Sequence, residues 1–206
     1  MGLARAPRRL GHARPAPLLF AAVCLLALAG CAASAPVPTA PAADPVDPAP
    51  VVLAPAALLP DQPVPEPVEP VVLTLTGRIG TTNDGSALAL DPPTLDRLGR
   101  VRVTLFEPWV KQTLNFEGVW LDDLLEVARV DPQARSVHIT ALDDYQIDLA
   151  ISDVMAGGVL LATRSGGGAP IPIEDGGPTR IVYVGGVPAG ASADQWIWSL
   201  STIDVR

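Results

Sequence analysis

Two neighbouring stretches decide the fold: VRVTLFEPW at residues 101–109 and FEGVWLDDLLEVA at residues 116–128. In the first stretch, Val101, Val103 and Leu105 alternate with polar residues, which predicts a half-buried strand. In the second stretch, apolar residues recur at helical spacing and predict a helix that begins near residue 121; they are Leu121, Leu124, Leu125 and Ala128.

The surrounding sequence predicts more strands than helices. Asp91 is placed to cap a short helix whose first positions are Pro92 and Pro93, and Gly99 is placed to end it. Further strands are expected at residues 71–78, 136–141, 145–150, 158–163, 179–184 and 196–205. Many short strands with two or three short helices predict a single mixed α+β domain rather than a doubly wound α/β fold.

An ordered set of motifs in this region resembles a known family. The motifs are Thr104–Trp109, Phe116–Leu125, Ala141–Tyr145, Leu160–Arg164, Gly168–Pro172, Gly177–Val182 and Gln195–Ile197. In this order the chain resembles the oxidoreductase molybdopterin-binding domain of the sulfite oxidase family, over nearly all of residues 71–206. The resemblance implies a mixed α+β fold and a molybdenum–pterin cofactor with a protein cysteine thiolate on the metal.

The resemblance also places a leucine where the family has its metal ligand. The family pattern reads like Arg-Cys-Val-Glu-Gly-Trp, and matching it to Thr104–Trp109 sets Leu105 at the cysteine position. A thiolate is a soft, anionic ligand, and a leucine side chain offers a metal nothing. We therefore expect no bound cofactor, no catalytic residue and no metal site, and a domain that binds a small molecule or partner in a sensory or accessory role. The alternative is a molybdopterin-dependent oxidoreductase without a protein thiolate.

Five residues are candidates to line a binding site, by resemblance and by residue type: Trp109, Asp144, Tyr145, Arg164 and Arg180. The resemblance places Arg180 beside the cofactor region, so it is the best candidate for an anion contact, although a buried structural ion pair would explain it equally well. Trp196 and Trp198 alternate on a predicted strand and share one face. They either pack in the core or form an aromatic-walled cleft.

The sequence gives less support for a catalytic histidine or a calcium site. His138 is the single histidine after the N-terminal leader, and we expect a partly exposed sheet residue rather than a catalytic base. Asp143, Asp144 and Asp148 do not have the spacing of a known calcium loop, so a solvated turn is expected there.

The N-terminus is typical of a bacterial lipoprotein signal. An Arg-containing start precedes an apolar run from Leu18 to Ala29, and Leu28-Ala29-Gly30-Cys31 closes it. We expect removal of residues 1–30 and lipidation of Cys31, whose acyl chains would supply a stable membrane anchor. The alternative is an ordinary signal peptide in which Cys31 is incidental. By resemblance to known lipoproteins, Ala32 favours the outer membrane, and the expected location is the periplasmic face of the cell envelope.

Composition separates a tether from a domain. Residues 32–70 hold 12 prolines and no aromatic residue, so we expect residues 31–70 to form a disordered tether and residues 71–206 to form the folded domain. Four of the 14 Lys+Arg residues and none of the 22 Asp+Glu residues lie in the leader, which leaves 10 basic against 22 acidic residues, net −12. This acidity argues against nucleic acid as a partner. The expected partners are the membrane, through Cys31, and a small anionic ligand or an envelope protein. A third possibility is a purely structural or interaction module on the tether, which would bind by strand addition at an exposed sheet edge.

Overall fold

The structure is a computed structural model that describes residues 47–188, 192 and 195–206. The predicted signal peptide, Cys31 and the first part of the predicted tether lie outside the described residues. No helix in the described part of the chain is long and apolar enough to cross a membrane.

The described residues form two five-stranded sheets. The first sheet has the strand order β1 (Val51–Ala54), β4 (Arg100–Glu107), β5 (Gln112–Trp120), β8 (Val159–Ser165) and β9 (Arg180–Tyr183). The second sheet has the order β3 (Leu88–Leu90), β2 (Leu73–Gly77), β10 (Leu200–Val205), β6 (Ser136–Ala141) and β7 (Gln146–Ala150). All neighbouring strands are antiparallel except β10 and β2, which are parallel. The predicted α+β class is confirmed.

Three short helices complete the described part of the domain: α1 (Pro92–Asp96), α2 (Leu121–Val127) and α3 (Ile151–Met155). The predicted cap of α1 is present, because Oδ1 of Asp91 accepts a hydrogen bond of 2.9 Å from the backbone N–H of Thr94. The apolar face predicted for α2 is also present, and Leu121, Leu124, Leu125 and Ala128 are all buried.

Residues 51–70 differ from the disordered tether that we expected. β1 pairs with the edge of β4, and Leu58 and Val64 are buried in the main core. The backbone N–H groups of Val68 and Glu69 donate hydrogen bonds of 2.7 and 3.0 Å to Oδ2 of Asp91. The folded unit therefore begins well before residue 71. Prolines dominate the composition here but leave the run Val51–Ala54 free, and a proline-free run can supply backbone donors to an edge strand.

Other strands also differ from the expectation, and β3 (Leu88–Leu90) was not predicted. The last strand begins at Leu200, so Trp196 and Trp198 precede it and the argument from alternation on a strand is wrong. β5, which pairs with β4 along almost its whole length, was not predicted as a strand. The pairing of β4 with β5 sets residues 101–107 into the first sheet and brings the following turn, with Trp109, beside the candidate site.

Candidate functional site

Leu105 lies in the main hydrophobic core. It is 1% exposed, stands on β4 opposite Leu114 of β5, and belongs to the same buried cluster as Val103 and Phe116. The side chain at the position matched to the family's metal ligand is therefore a packed hydrocarbon.

Two residues further along β4, Glu107 forms a buried ion pair. Its Oε1 accepts a hydrogen bond of 2.8 Å from an Nη atom of Arg180, and the side chains of Glu107 and Arg180 are 0% and 4% exposed. Its Oε2 accepts hydrogen bonds of 2.9 and 2.6 Å from the backbone N–H groups of Trp109 and Val110. One carboxylate thus fixes both Arg180 and the turn that carries Trp109.

The guanidinium of Arg180 also contacts two aromatic rings. Its central carbon lies 4.4 Å from the ring centroid of Trp198 and 5.0 Å from that of Phe116. Burial lowers the pKa of Arg180, while the hydrogen bond and charge of Glu107 oppose that shift. Of the two roles considered for Arg180, the structure contains the buried ion pair.

A cleft of about 350 Å³ lies beside this pair and is called the aromatic cleft below. Its lining residues are Trp109, Asp143, Tyr145, Trp196 and Trp198. Trp109 and Tyr145 are 51% and 45% exposed, whereas Trp196 is buried. Two of the five candidate ligand-binding residues, Trp109 and Tyr145, are brought together here.

A second cavity of about 420 Å³ shares Trp198 with the aromatic cleft. Arg180 and Phe116 line it, together with the carboxylate-bearing residues Glu174 and Asp175. Among the described residues that line the two cavities, one is basic, Arg180. Its charge is paired with that of Glu107.

The tryptophans of the aromatic cleft are held by close packing. Gly176 has φ of +86°, and a Cβ at this position would come within 2.9 Å of the ring of Trp198. Glycine therefore allows both the turn and the close approach of the indole. Trp196 packs edge-to-face against Tyr183, with ring centroids 5.9 Å apart.

The remaining candidates lie elsewhere. Arg164 forms an ion pair with Asp96, and neither Arg164 nor Asp144 is among the described residues that line the two cavities. Asp144 has φ of 65° in the turn between β6 and β7, where Asp143 rather than Asp144 reaches the aromatic cleft.

The other side chains weighed for chemistry form surface contacts. Nδ1 of His138 lies 3.0 Å from Oδ1 of Asp148 on neighbouring strands. No group of three or more His, Cys, Asp or Glu side chains in the described part of the chain is arranged to hold a metal ion.

Sequence reasoning missed the roles of Glu107 and Asp143. A glutamate in phase with the buried residues Val101, Val103 and Leu105 is a signal, because a buried carboxylate needs a partner. No comparable signal distinguishes Asp143 from Asp144, since only the turn geometry selects one of them.

Comparison with known proteins assigns the family. The model of the oxidoreductase molybdopterin binding domain matches residues 97–206, just over half of the chain, and the chain belongs to this family. A comparison with curated protein sequences gives no match.

A solved structure shares the fold. The chain is similar to the crystal structure of the sulfane dehydrogenase SoxCD from Paracoccus pantotrophus, with a TM-score of 0.50 and 19% sequence identity. The similarity covers 65% of this chain and 37% of that chain, so this protein spans well under half of the SoxCD chain's length. At this identity the match supports the fold, which agrees with the two sheets and short helices described above.

The residues present do not fit the metal–thiolate site that the resemblance implies. Leu105 supplies no donor atom and is enclosed by the core. Cys24 and Cys31, the two cysteines of the chain, both lie outside the described domain. We therefore derive no chemical step through a molybdenum cofactor.

Proposed function

We propose that this protein is a cell-envelope lipoprotein whose molybdopterin-binding-type domain is non-catalytic and binds a small molecule in the aromatic cleft. The observation that carries the proposal is the burial of Leu105 at the matched ligand position. A leucine that is fully buried contributes about 1.5–3 kcal/mol to folding, so this position serves stability rather than metal binding.

The arrangement of Glu107 and Arg180 supports the same proposal. A cationic side chain free to hold an anionic cofactor would need an unoccupied guanidinium edge. Here one Nη atom donates to Glu107 and the other donates to the backbone carbonyl of Asp175 over 3.3 Å. The group lies against Phe116 and Trp198, and the remaining Nε has no partner among the described residues but almost no accessible surface. The pair instead fixes the walls of the cavities, and the open aromatic cleft remains as the binding surface.

A molybdopterin-dependent oxidoreductase without a protein thiolate is the second candidate. One observation favours it: Nε of Arg180 is buried without a hydrogen-bond partner among the described residues, in the lining of the 420 Å³ cavity. A buried donor without a partner calls for an acceptor, but this Nε has almost no accessible surface, so an acceptor group in the cavity would reach it only if neighbouring side chains moved.

Elemental analysis separates the two candidates. The protein and a Leu105→Cys variant are produced in a host that makes the molybdenum cofactor, and molybdenum and oxidised-pterin fluorescence are measured on the purified material. We expect neither signal above background from the unaltered chain. Stoichiometric molybdenum with pterin in the unaltered chain would establish the second candidate. A gain of molybdenum in Leu105→Cys alone would show that the missing thiolate is what excludes the metal.

Labelling tests the proposed anchor. Cells expressing the protein are fed a radiolabelled or alkyne-tagged fatty acid, and we expect label on the chain and its recovery in the membrane fraction. Cys31→Ala should remove both, because Cys31 is the proposed acylation site. Label retained in Cys31→Ala, or no label on the unaltered chain, would contradict the lipoprotein assignment.

A further inference from the structure

The aromatic cleft combines ring faces with negative charge. Its described lining contains three tryptophans, a tyrosine and the carboxylate of Asp143, and the cavity that shares Trp198 adds Glu174 and Asp175. The faces of aromatic rings carry negative electrostatic potential, so rings and carboxylates attract the same kind of ligand.

Two arginines that could offset this attraction are already engaged in ion pairs. Arg180 is paired with Glu107, and Arg164, which lies outside both linings, is paired with Asp96. The chain after the leader carries a net charge of −12, so the long-range field also favours cations over anions. These charges argue against the small anionic ligand that we expected from the sequence.

We propose that the aromatic cleft binds a quaternary ammonium group, of the kind that choline and its derivatives carry. This inference rests on the proposed function, since it names the ligand class of the same cleft. A quaternary ammonium has no N–H to donate, so it needs no ordered set of acceptors and is recognised through its charge and its methyl surface.

The indole of Trp196 adds apolar ring surface to the cleft. Trp196 is more than nine-tenths buried, and its Nε1–H has no hydrogen-bond partner among the described residues. An indole N–H can only donate, and a buried donor requires an acceptor. This N–H has almost no accessible surface, so a ligand in the cleft meets the ring carbons of Trp196 rather than its N–H.

The backbone that carries the walls of the cleft is held in place by hydrogen bonds within the protein. The backbone N–H of Trp109 donates to Glu107, and the backbone N–H of Tyr145 donates to Oδ1 of Asp143 over 3.1 Å. Trp198 is confined by Gly176. Little ordering is then required on binding, which favours affinity for a small cation.

Titration with a charged probe and a neutral probe of the same shape tests whether the positive charge of the ligand contributes to binding. Choline and its neutral isostere 3,3-dimethylbutan-1-ol are added to the purified protein, and binding is followed by tryptophan fluorescence and calorimetry. We expect saturable choline binding that is at least about fivefold tighter than binding of the neutral alcohol and that weakens as salt is added. Equal affinity for the two probes, or no saturable choline signal, would overturn the proposal.

Variants locate the binding at the cleft. Trp109→Ala should weaken choline binding by about five- to tenfold, and Asp143→Asn should weaken it by about threefold. The matched controls are Phe106→Ala, which removes an exposed ring outside the cleft, and Asp144→Asn, which removes the neighbouring charge. Controls that weaken binding as much as the cleft variants would overturn the assignment. Both cleft positions are exposed, so folding should survive, and circular dichroism checks it.

The same ammonium group occurs free and at lipid headgroups, and two further probes distinguish these sources. Phosphocholine and a soluble short-chain phosphatidylcholine carry a phosphate that Asp143, Glu174 and Asp175 should repel. We expect both to bind more weakly than choline, which would support a free small-molecule ligand. Tighter binding of either would instead indicate a lipid headgroup and contradict the proposal of a free ligand. If the purified protein contains no molybdenum and does not bind choline, this inference alone is wrong. If it contains stoichiometric molybdenum, the proposed function is wrong.

Discussion

Glu107→Gln removes the one negative charge that faces Arg180 in a buried setting. Glutamine is nearly the same size and retains an oxygen that can accept from the backbone N–H groups of Trp109 and Val110. Its amide would, however, present N–H groups to a guanidinium that also only donates. The variant therefore tests the ion pair with little change in packing.

The structure sets the size of the expected effect. Glu107 and Arg180 are 0% and 4% exposed, so the arginine left behind cannot be solvated. Removal of one partner from such a pair costs about 3–5 kcal/mol. The exposed pair of Arg129 with Asp61, at 3.6 Å, is the matched control, and Asp61→Asn should cost less than about 1 kcal/mol.

Urea unfolding followed by tryptophan fluorescence measures these costs, because Trp198 stacks on the guanidinium and reports its displacement. The double variant Glu107→Gln/Arg180→Met removes both charges. We expect it to be more stable than the sum of the two single losses by about 2 kcal/mol. The reasoning fails if Glu107→Gln costs no more than Asp61→Asn, or if the two single losses add without coupling.

Three further outcomes are expected. Burial alone would raise the pKa of Asp91, but hydrogen bonds from Thr94, Glu69 and Val68 outweigh it and lower the pKa to about 2. This depressed pKa contributes about 2 kcal/mol of stability at pH values above the unfolded-state pKa of 3.8. The contribution is lost as the pH falls from 3.8 toward 2. The stability of Asp91→Asn should therefore depend less on pH in that window, which acid unfolding measures. A chain that begins at residue 71 lacks β1 and the buried Leu58 and Val64, and its melting temperature should fall well below that of a chain beginning at residue 45; equal melting temperatures would show that residues 47–70 add nothing. Gly176→Ala should displace Trp198 and change its fluorescence, with a stability loss of about 1 kcal/mol or more from the positive φ.

Local patterns in the sequence predict most of the individual elements. Asp91 followed by two prolines predicts the start of α1, and the spacing of Leu121, Leu124 and Leu125 predicts α2, because these signals depend on backbone geometry within a few residues. The α+β class follows from the number of short strands.

Two of the strands that sequence reasoning missed are β1 and β5. β1 is a four-residue strand within a proline-rich segment, and it is stabilised by β4 about 50 residues away. β5 carries Glu117 and Gly118 next to each other, which breaks the alternation expected of a strand; a register shift between them lets the strand continue beside β8. Local periodicity in the sequence predicts neither the pairing of β1 with β4 nor that of β5 with β8.

The sequence named some of the residues that line the candidate site. Trp109 and Tyr145 line one cleft, although their sequence separation gives no distance, and their role in binding stays a prediction. The sequence left two roles open for Arg180, an anion contact and a buried ion pair. Its ion-pair partner, Glu107, is identified only once β4 and β9 are known to lie in one sheet. The choice of Asp143 over Asp144 depends on a single turn residue with positive φ.

Native mass spectrometry of the protein isolated from a host that makes the molybdenum cofactor tests the central claim most directly. The ion should have the mass of the processed chain with its acyl groups and carry no molybdenum–pterin adduct. An intact adduct of one molybdenum–pterin per chain would contradict the claim that Leu105 has replaced metal binding with core packing.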